Sequence, residues 1–469
     1  MFGATFLAAG RLLAADKVAA NERLRVAVIG CGVRGRTHGP VFASHPQCEV
    51  VSVCDADISR AEAVAAQVAG RQGKRPAAVQ DLRRIMDDRS IDVVTVATCN
   101  HWHVLAAIWA LQAGKDVYVE KPLSWCIDEG RRVIEVSRKY DRICQVGTQY
   151  RSDPSMLAAK AAIDRGDIGR VQLARSITYK QRNSIGGPVQ AIVPKSVDLD
   201  LWHGPAPADP ITRPQFHYDW HWFWATGNGD NGNSDVHRAD LCCWAVGRTK
   251  LAPASMSFGG RLGYRDAAET PNTQIAIHDL EGVTLVQEIR GLSSEKFPLP
   301  GTAMIYGTEG IVALSPVASV QLDLDGNVVH RFPSEGKSFG DLSVIHMDNF
   351  VQAVLSRKRT DQNAEVAQGH VSASMCHAAN NSYRLGRPAS PAQIMAEVEK
   401  RKIADGAAEV VDRTIAHLKK NGVAIGDDTL TLGQWLEFDP DRERYIDNPE
   451  ADKLKTRVYR KPFVVPDKV

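Results

Sequence analysis

Several features that would place a chain of this length in a specialised class are missing from the sequence. Its 469 residues carry 57 Lys and Arg against 55 Asp and Glu, without long blocks of one sign. Nucleic acid and acidic membranes are therefore not expected partners. The nine cysteines are odd in number and lack the paired CxxC spacing of a zinc site, so we expect neither a disulfide framework nor a bound metal. A small molecule is the expected partner.

Long apolar runs are also missing, so we expect no transmembrane segment. The segment 1–22 is apolar and rich in small residues, but it lacks a charged n-region and Arg11 interrupts it. It is therefore incomplete as a signal peptide. We interpret it either as a truncated export leader or as a nonfunctional extension, which leaves a cytoplasmic and a periplasmic location both open.

What the sequence does contain begins with alternating strand and helix patterns over residues 23–148. Continuous apolar runs, typical of strands buried on both faces, occur at 24–30, 49–55, 92–98, 116–122 and 143–147. Helical patterns separate these runs. The alternation predicts an α/β domain with a doubly wound, parallel Rossmann sheet.

Residues 149–469 have a different texture, with β-rich runs joined by turn signals. Several of these runs alternate polar and apolar residues, which favours a second α/β domain with a large, mostly antiparallel open sheet. The helical stretch 342–384 is expected to pack on this sheet or to return to the first domain. The polar tail, about 420–469, is expected to wrap the surface.

The first chemical motif is GCGVRG, which follows a predicted strand and opens a helix. Its glycines permit a tight turn and a close approach of the backbone to a pyrophosphate at the helix N-terminus. Asp55 ends the next strand, where a carboxylate accepts bonds from ribose hydroxyls and repels a 2′-phosphate, so NAD is favoured over NADP. The predicted cofactor contacts are Gly30, Cys31, Gly32, Val33, Arg34, Gly35 and Asp55. The alternative is a structural glycine turn with a helix-capping Asp.

Two further motifs follow predicted strands, at the sheet edge where α/β proteins bind ligands. In the first, Thr98, Asn100 and His103 are expected to face the nicotinamide ribose; alternatively, Asn100 caps the next helix. In the second, Glu120 and Lys121 precede Pro122. A cis bond to that proline could aim Lys121 at the cofactor, where its ammonium would stabilise a developing oxygen anion. The alternative is an exposed lysine at a strand end.

Together these motifs resemble those of the Gfo/Idh/MocA family of NAD(P)-dependent oxidoreductases. The resemblance extends through GTQYRS, LWHGPAP, FHYDWHWFW, GNGDNGNSDVHRADLCCWAVG and RKPFVVP, and so covers nearly all of the chain. It implies a Rossmann domain followed by an α/β domain with a large open sheet. It also implies a sugar or polyol substrate, and a catalytic lysine at position 121.

The segment 227–247 is expected to supply the second catalytic group. Asn233, His237 and Asp240 would share one face of a helix. The family commonly has Asp where this chain has Asn233, so proton transfer is assigned to His237, whose unperturbed pKa of about 6.5 suits a base. Asp240 would orient that imidazole or cap the helix. His237 as a buried structural histidine is the alternative.

The substrate side is expected to be aromatic. Trp220 and Trp222 are candidates for stacking on sugar rings, and Tyr150 and Arg151 for lining the pocket, with Arg151 contacting a carboxylate or hydroxyl. Core or subunit-interface packing is the alternative for each tryptophan. An uncovered sheet face also suggests a homodimer or tetramer.

These features predict an NAD-dependent oxidoreductase that moves hydride between NAD and a secondary hydroxyl of a sugar or polyol. One alternative is a redox-neutral, NAD-dependent glycosidase or lyase that acts through a transient 3-keto sugar. The family-related glycosidases carry a tyrosine where this chain has Ser234, which weakens that alternative. A second alternative is a nonenzymatic protein that senses a sugar or NAD.

Overall fold

The computed structural model describes residues 23–316, 318–333, 338–401 and 403–468, so the interpretation of segment 1–22 as a leader lies outside the described residues. The first of two sheets has six parallel strands in the order β3-β2-β1-β4-β5-β6. The strands are β1 Leu24–Ile29, β2 Cys48–Cys54, β3 Ala77–Val79, β4 Val93–Val96, β5 Asp116–Val119 and β6 Cys144–Val146. This order confirms the predicted doubly wound Rossmann sheet.

Helices cover both faces of this sheet, which is why its strands are apolar throughout. The helices are α1 Gly35–Ser44, α2 Ile58–Gln72, α3 Arg83–Asp87, α4 His103–Gln112 and α5 Ile127–Lys139. Two apolar clusters lie on opposite sides of the strands. One contains Phe42 and Val64 from α1 and α2, and the other contains Leu105 and Val133 from α4 and α5.

The second sheet has twelve strands, of which ten follow the order β14-β13-β12-β11-β7-β10-β9-β8-β16-β15, while β17 pairs with β8 and β18. Their bounds are β7 Val171–Tyr179, β8 Ala254–Gly260, β9 Thr273–Asp279, β10 Thr284–Arg290, β11 Ala303–Gly307, β12 Ile311–Leu314, β13 Ala318–Leu322, β14 Val328–Pro333, β15 Arg387–Ala389, β16 Leu430–Leu432, β17 Leu436–Asp439 and β18 Arg444–Tyr445. Among the described ladders of this second sheet, only β7 and β10 pair in parallel. The prediction of a large, mostly antiparallel sheet is confirmed.

Eight further described helices follow β6 in the chain. They are α6 Pro154–Arg165, α7 Leu199–His203, α8 Val236–Ala245, α9 Phe339–Ser356, α10 Val366–Arg384, α11 Pro391–Glu399, α12 Glu409–Lys420 and α13 Pro449–Lys453. Met347 and Phe350 of α9 pack with Phe42 on the first sheet, whereas α10 contacts α5, α8 and β8. The two placements expected for the stretch 342–384 therefore both occur, one for each helix.

Helices α11 and α12 cover the opposite face of the large sheet. Val410 and Leu418 pack with Phe258 and Ile277 in one buried cluster. The sheet face that suggested a dimer or tetramer is therefore already covered over these strands by the chain itself. Homo-oligomerisation stays a prediction.

The C-terminal tail differs from the expected surface wrap. It contributes β16 and β17 to the large sheet, and then returns to the Rossmann sheet, where Phe463 is fully buried. The ring of Phe463 lies 5.4 Å from that of Trp102 and 6.4 Å from that of Trp109, measured between centroids. Isolated apolar residues in a polar segment produce no periodicity, so the pattern did not reveal this burial. Within the described part of the chain, no helix is both long and apolar enough to span a bilayer.

Candidate active site

A cavity of about 830 Å³ opens at the carboxyl ends of the Rossmann strands and is closed by residues of the second half of the chain. Parallel strands bring their carboxyl ends to one edge, so residues that follow different strands meet there. Ten of the predicted cofactor contacts line the cavity, namely Gly30, Gly32, Val33, Arg34, Asp55, Thr98, Asn100, His103, Glu120 and Lys121.

The glycine turn fits a ligand that approaches the backbone closely. Gly30 has a φ of +88°, and a Cβ there would lie 2.5 Å from the backbone of Ala97. A Cβ on Gly35 would lie 1.8 Å from the Gly30 oxygen, so this glycine permits the tight junction with α1. At Gly32 the closest atom to a Cβ would be Arg60 Nη1, at 3.4 Å. The fold tolerates a methyl group at position 32, so the room above Gly32 is available for a pyrophosphate.

Two predicted contacts, Cys31 and Gly35, do not line the cavity and so differ from expectation. The Cys31 side chain is buried, and its backbone N–H donates to Asp55 Oδ2 at 2.6 Å. The Asp57 N–H donates to Asp55 Oδ1 at 2.8 Å. Burial raises the pKa of Asp55, while these two hydrogen bonds oppose the shift. The glycine turn thus orients the carboxylate that was predicted to bind ribose.

The loop after β4 brings Thr98, Asn100 and His103 to the cavity wall. Asn100 lies in a short 3₁₀ turn and makes no capping bond, so its interpretation as a helix cap is wrong. Its side chain instead donates to Asn228 Oδ1 at 2.9 Å. The His103 ring lies 2.7 Å from the Pro122 oxygen and 3.1 Å from the Thr98 oxygen. Burial lowers the pKa of His103, which therefore stays neutral near pH 7.

Glu120 is held by other side chains. Its Oε1 accepts bonds from Arg34 Nε at 2.8 Å and Gln149 Nε2 at 3.2 Å, and lies 3.0 Å from His38 Nε2. Burial disfavours the charged form, yet Arg34 and His38 hold the pKa of Glu120 well below its ordinary value. Glu120 is therefore an anion, and its charge favours the protonated form of the adjacent Lys121.

Lys121 projects to the end of the cavity that the second half of the chain closes. Its bond to Pro122 is cis, and its Nζ donates to the Asn233 backbone oxygen at 2.5 Å, with Asn233 Oδ1 at 3.4 Å. Burial lowers the pKa of Lys121 to about 8, although the charge of Glu120 opposes that shift. The structure thus brings Lys121 and Asn233 together across the interface between the two sheets.

His237 lies on α8 and lines the same end of the cavity. Its ring is 5.3 Å from that of Tyr150, which also lines the cavity. Burial, and then the charge of Lys121, lowers the pKa of His237 well below its ordinary value. This differs from the expectation of an unperturbed imidazole. At neutral pH the ring carries no charge, which is the state that a base requires.

Asp240 and Arg151 do not line the cavity, which corrects their assignments to catalysis and substrate binding. Arg151 donates two bonds to the Asp240 carboxylate, at 2.7 and 2.8 Å, and both side chains are buried. Ser372 Oγ also donates to Asp240. The turn before α8, Asn231–Asp235, is π-helical, so the spacing assumed for an α-helix does not extend back to Asn233. Asp240 thus joins α8 to Arg151 and to Ser372 of α10.

The aromatic residues divide between two cavities. Trp220 lines the main cavity and stacks on His221, with centroids 3.6 Å apart. Trp222 was also expected to bind substrate, but it is buried and lines a neighbouring cavity of about 220 Å³. Trp202 and Phe216 complete the wall of the main cavity. The sequence shows that these residues are aromatic, but it does not distinguish those that line the cavity from those that pack in the core.

The sequence reasoning missed four cations that line the main cavity, namely Arg36, Arg60, Lys180 and Arg238. The one signal for Arg238 was its position next to His237. Lys180 directly follows β7, but the strand that carries it pairs with β10 and β11. No local pattern indicates which end of that strand meets the Rossmann sheet.

Comparison with known proteins agrees with this architecture. Residues 24–148 match the family GFO_IDH_MocA, described as an oxidoreductase family with an NAD-binding Rossmann fold. Residues 183–417 match its C-terminal alpha/beta domain.

Relatives and solved structures show the same likeness. Levoglucosan dehydrogenase of Pseudarthrobacter phenanthrenivorans is 33% identical over 71% of this chain and 90% of its own. The scyllo-inositol 2-dehydrogenase (NAD(+)) of Bacillus subtilis is 32% identical, over 34% of this chain and 46% of its own length. The match thus spans less than half of that inositol dehydrogenase. A solved levoglucosan dehydrogenase in complex with NADH has a TM-score of 0.58 at 20% identity, over 76% of this chain and 95% of that one.

Proposed function

The chain belongs to the Gfo/Idh/MocA oxidoreductase family, and from that premise we propose that it oxidises a secondary hydroxyl of a sugar or polyol with NAD. The observation that carries this proposal is the sharing of one cavity by two groups of residues. Gly32 and Asp55 line it near the glycine turn, and Lys121 and His237 line it at the other end. A cofactor and a polar substrate would therefore meet between them.

The glycine turn and Asp55 would hold NAD, which accepts hydride from the substrate carbon when bound. The Lys121 ammonium would donate a hydrogen bond to the hydroxyl oxygen and stabilise negative charge as that oxygen loses its proton. Neutral His237 would accept the proton. Trp220 would pack against the C–H face of a sugar ring. The net change is an alcohol converted to a ketone, with one hydride and one proton removed.

The cofactor preference follows from Asp55. Its carboxylate would accept bonds from ribose hydroxyls, and it would repel a 2′-phosphate. We therefore propose NAD over NADP, and the ratio of kcat/KM for the two cofactors tests that choice directly.

The experiment is absorbance near 340 nm with NAD⁺ and a panel of free sugars, polyols and aryl glycosides, while glycoside cleavage is followed in parallel. Net NADH formation from a free sugar or polyol that is lost in Lys121→Met is the expected result. If neither NADH nor cleavage appears while the protein still binds NADH, the oxidoreductase proposal falls and a ligand-sensing role takes its place.

A second candidate function is redox-neutral cleavage of a glycoside. The cavity of about 220 Å³ shares Gln215 and Tyr218 with the main cavity, so it offers room beside the oxidised ring for an attached group. Oxidation at C3 would acidify the neighbouring C–H and permit elimination of that group as its alcohol. Addition of water and return of the hydride to C3 would then leave no net NADH. Cleavage of an aryl glycoside without net NADH, lost in Lys121→Met, would favour this candidate over a simple dehydrogenase.

A further inference from the structure

The main cavity carries an excess of positive charge. Six cationic side chains line it, namely Arg34, Arg36, Arg60, Lys121, Lys180 and Arg238. Among the described residues of its wall, carboxylates come only from Asp55 and Glu120. A cavity with this balance attracts anions.

The two carboxylates belong to the cofactor end. Asp55 accepts backbone bonds from Cys31 and Asp57 beside the glycine turn, and Glu120 is paired with Arg34. Arg60 Nη1 lies 3.4 Å from a Cβ placed on Gly32, so Arg60 would supply a cation for a pyrophosphate bound there. Lys121, Lys180 and Arg238 remain at the other end.

No carboxylate of the described chain lies in salt-bridge contact with Lys180 or Arg238. Arg238 Nη1 donates to the Ser234 backbone oxygen at 2.8 Å, which is a neutral acceptor. Its Nε is buried and has no hydrogen-bond partner among the described residues. The nearby Asp230 is already occupied, because Arg182 donates to both of its oxygens, at 2.8 and 2.5 Å.

The cations at this end also act on one another. Burial, followed by the charge of Arg182, lowers the pKa of Lys180; the charge of Asp230 opposes that shift and the charge of Arg238 adds to it. Lys180 is exposed and Arg238 is half-buried, so solvent screens part of the repulsion between them, and a bound anion would offset the rest. A guanidinium with a free N–H, beside an ammonium, is a common arrangement for binding a carboxylate or a phosphate.

We propose that the sugar bound at this site carries an anionic substituent, a carboxylate or a phosphate, held by Arg238 and Lys180 while its hydroxyl lies against Lys121 and His237. The inference rests on the proposed function for the identity of the reacting group. A hydroxyl of a neutral polyol could accept a hydrogen bond from Arg238 or Lys180 but would leave their charge uncompensated, whereas an anion would accept the bond and also offset the charge of Lys121, Lys180 and Arg238.

The test compares matched substrates on the full chain with NAD⁺: glucose, glucuronate and glucose 6-phosphate, and galactose, galacturonate and galactose 6-phosphate. We expect kcat/KM for one type of anionic sugar to exceed that of its neutral parent by at least about tenfold. Arg238→Gln should lower this ratio about 10- to 100-fold, since it removes a charged hydrogen-bond donor. Arg238→Lys should restore part of it. If the uronates show the increase in kcat/KM, the bound anion is a carboxylate; if the sugar phosphates show it, the anion is a phosphate.

The matched control is Arg36→Gln, which removes a cavity cation from the cofactor end. It should leave the ratio of anionic to neutral sugar unchanged, whatever it does to NAD. Thermal unfolding of each variant checks that folding is intact.

The same sugars are also titrated into NADH-loaded protein, so that binding is measured without turnover. Anion-selective binding that is lost in Arg238→Gln, without any turnover, would refute the oxidoreductase proposal and keep the anion site. Neutral sugars that are bound or oxidised as well as their anionic counterparts, with equal effects of Arg238→Gln on both, would overturn the anion site. So would the failure of every anionic sugar to bind.

Discussion

The two ends of the main cavity are built in different ways. The cofactor end is assembled from strand ends and turns of one sheet, in segments whose chemistry is contiguous in sequence, such as Gly30 to Gly35. The substrate end depends on contacts across the chain, and the bond from Lys121 to Asn233 joins residues 112 positions apart. The comparison teaches that cofactor binding depends on local turns, whereas substrate chemistry depends on how the two sheets are docked.

The largest effect is expected from removing the Lys121 ammonium, which lies where the two ends of the cavity meet. We expect Lys121→Met to lower kcat about 10²- to 10³-fold, because the oxygen anion loses its charged hydrogen-bond donor. NADH affinity, measured by fluorescence titration, should change little by comparison. Lys296→Met, at an exposed position, is the control. Turnover within threefold of the parent would remove Lys121 from the mechanism.

The buried ion pair of Arg151 and Asp240 does not line the cavity, so we expect it to stabilise the fold and not to contact substrate. Arg151→Met leaves Asp240 buried without its ion pair, so we expect a loss of about 3 to 5 kcal/mol in the free energy of unfolding. Urea titration measures this loss. The exposed pair of Arg165 and Asp167 provides the control, since Arg165→Met should cost less than about 1 kcal/mol.

The same variant tests whether Arg151 contacts substrate. For the folded fraction of Arg151→Met, KM for the sugar should equal that of the parent. A large rise in KM without a loss of stability would return Arg151 to the binding site.

A smaller effect is expected at the cofactor end from a single methyl group. Gly32→Ala should leave stability unchanged, because the closest atom to the new Cβ is 3.4 Å away, and should weaken NADH binding about 10- to 100-fold by overpacking. Gly70→Ala, where a Cβ meets nothing within 4 Å, is the matched control. Unaltered NADH affinity in Gly32→Ala would mean that the cofactor does not approach this turn.

The smallest effect concerns pH. The pKa of Lys121 is about 8, so the side chain is charged below that pH and neutral above it. We expect kcat/KM to fall about fivefold between about pH 8 and pH 9, as the charge is lost. His237, with a pKa well below its ordinary value, should add no decline down to about pH 6.5.

Lys121→Arg separates this titration from other effects of pH, since a guanidinium stays charged throughout the range. Its residual activity should be flat between about pH 8 and pH 9. Activity that instead rises through pH 8 in the parent and not in Lys121→Arg would make neutral Lys121 the base.

Much of the fold followed from the sequence because both sheets have characteristic patterns. Continuous apolar runs indicated the parallel strands, and turn signals between alternating runs indicated the antiparallel ones. The order of the twelve strands did not follow, since pairing depends on long-range packing. The burial of Phe463 was missed for a related reason, because one aromatic residue in a polar tail produces no pattern.

The candidate site was predicted best where a residue follows a strand. Asp55, Thr98 and Lys121 all line the cavity for that reason. Asp240 was misassigned, because spacing along a helix says which residues share a face but not what that face packs against. Arg151 follows a Rossmann strand as well, but its side chain pairs with the buried Asp240 and does not line the cavity. Arg238 was overlooked because a helical arginine is usually solvated, and only the packing of α8 against α10, β7 and β11 places it at the cavity.

The burial of Phe463 against Trp102 also sets an order of events during synthesis. Residues 24–148 form a sheet whose apolar cluster includes a ring from residue 463. Ribosomes add about 5 to 20 residues each second, so this cluster stays incomplete for tens of seconds after its strands have emerged. During that interval the surfaces of Trp102 and Trp109 that Phe463 covers are accessible to chaperones, and a stop codon shortly before position 463 would leave them so permanently.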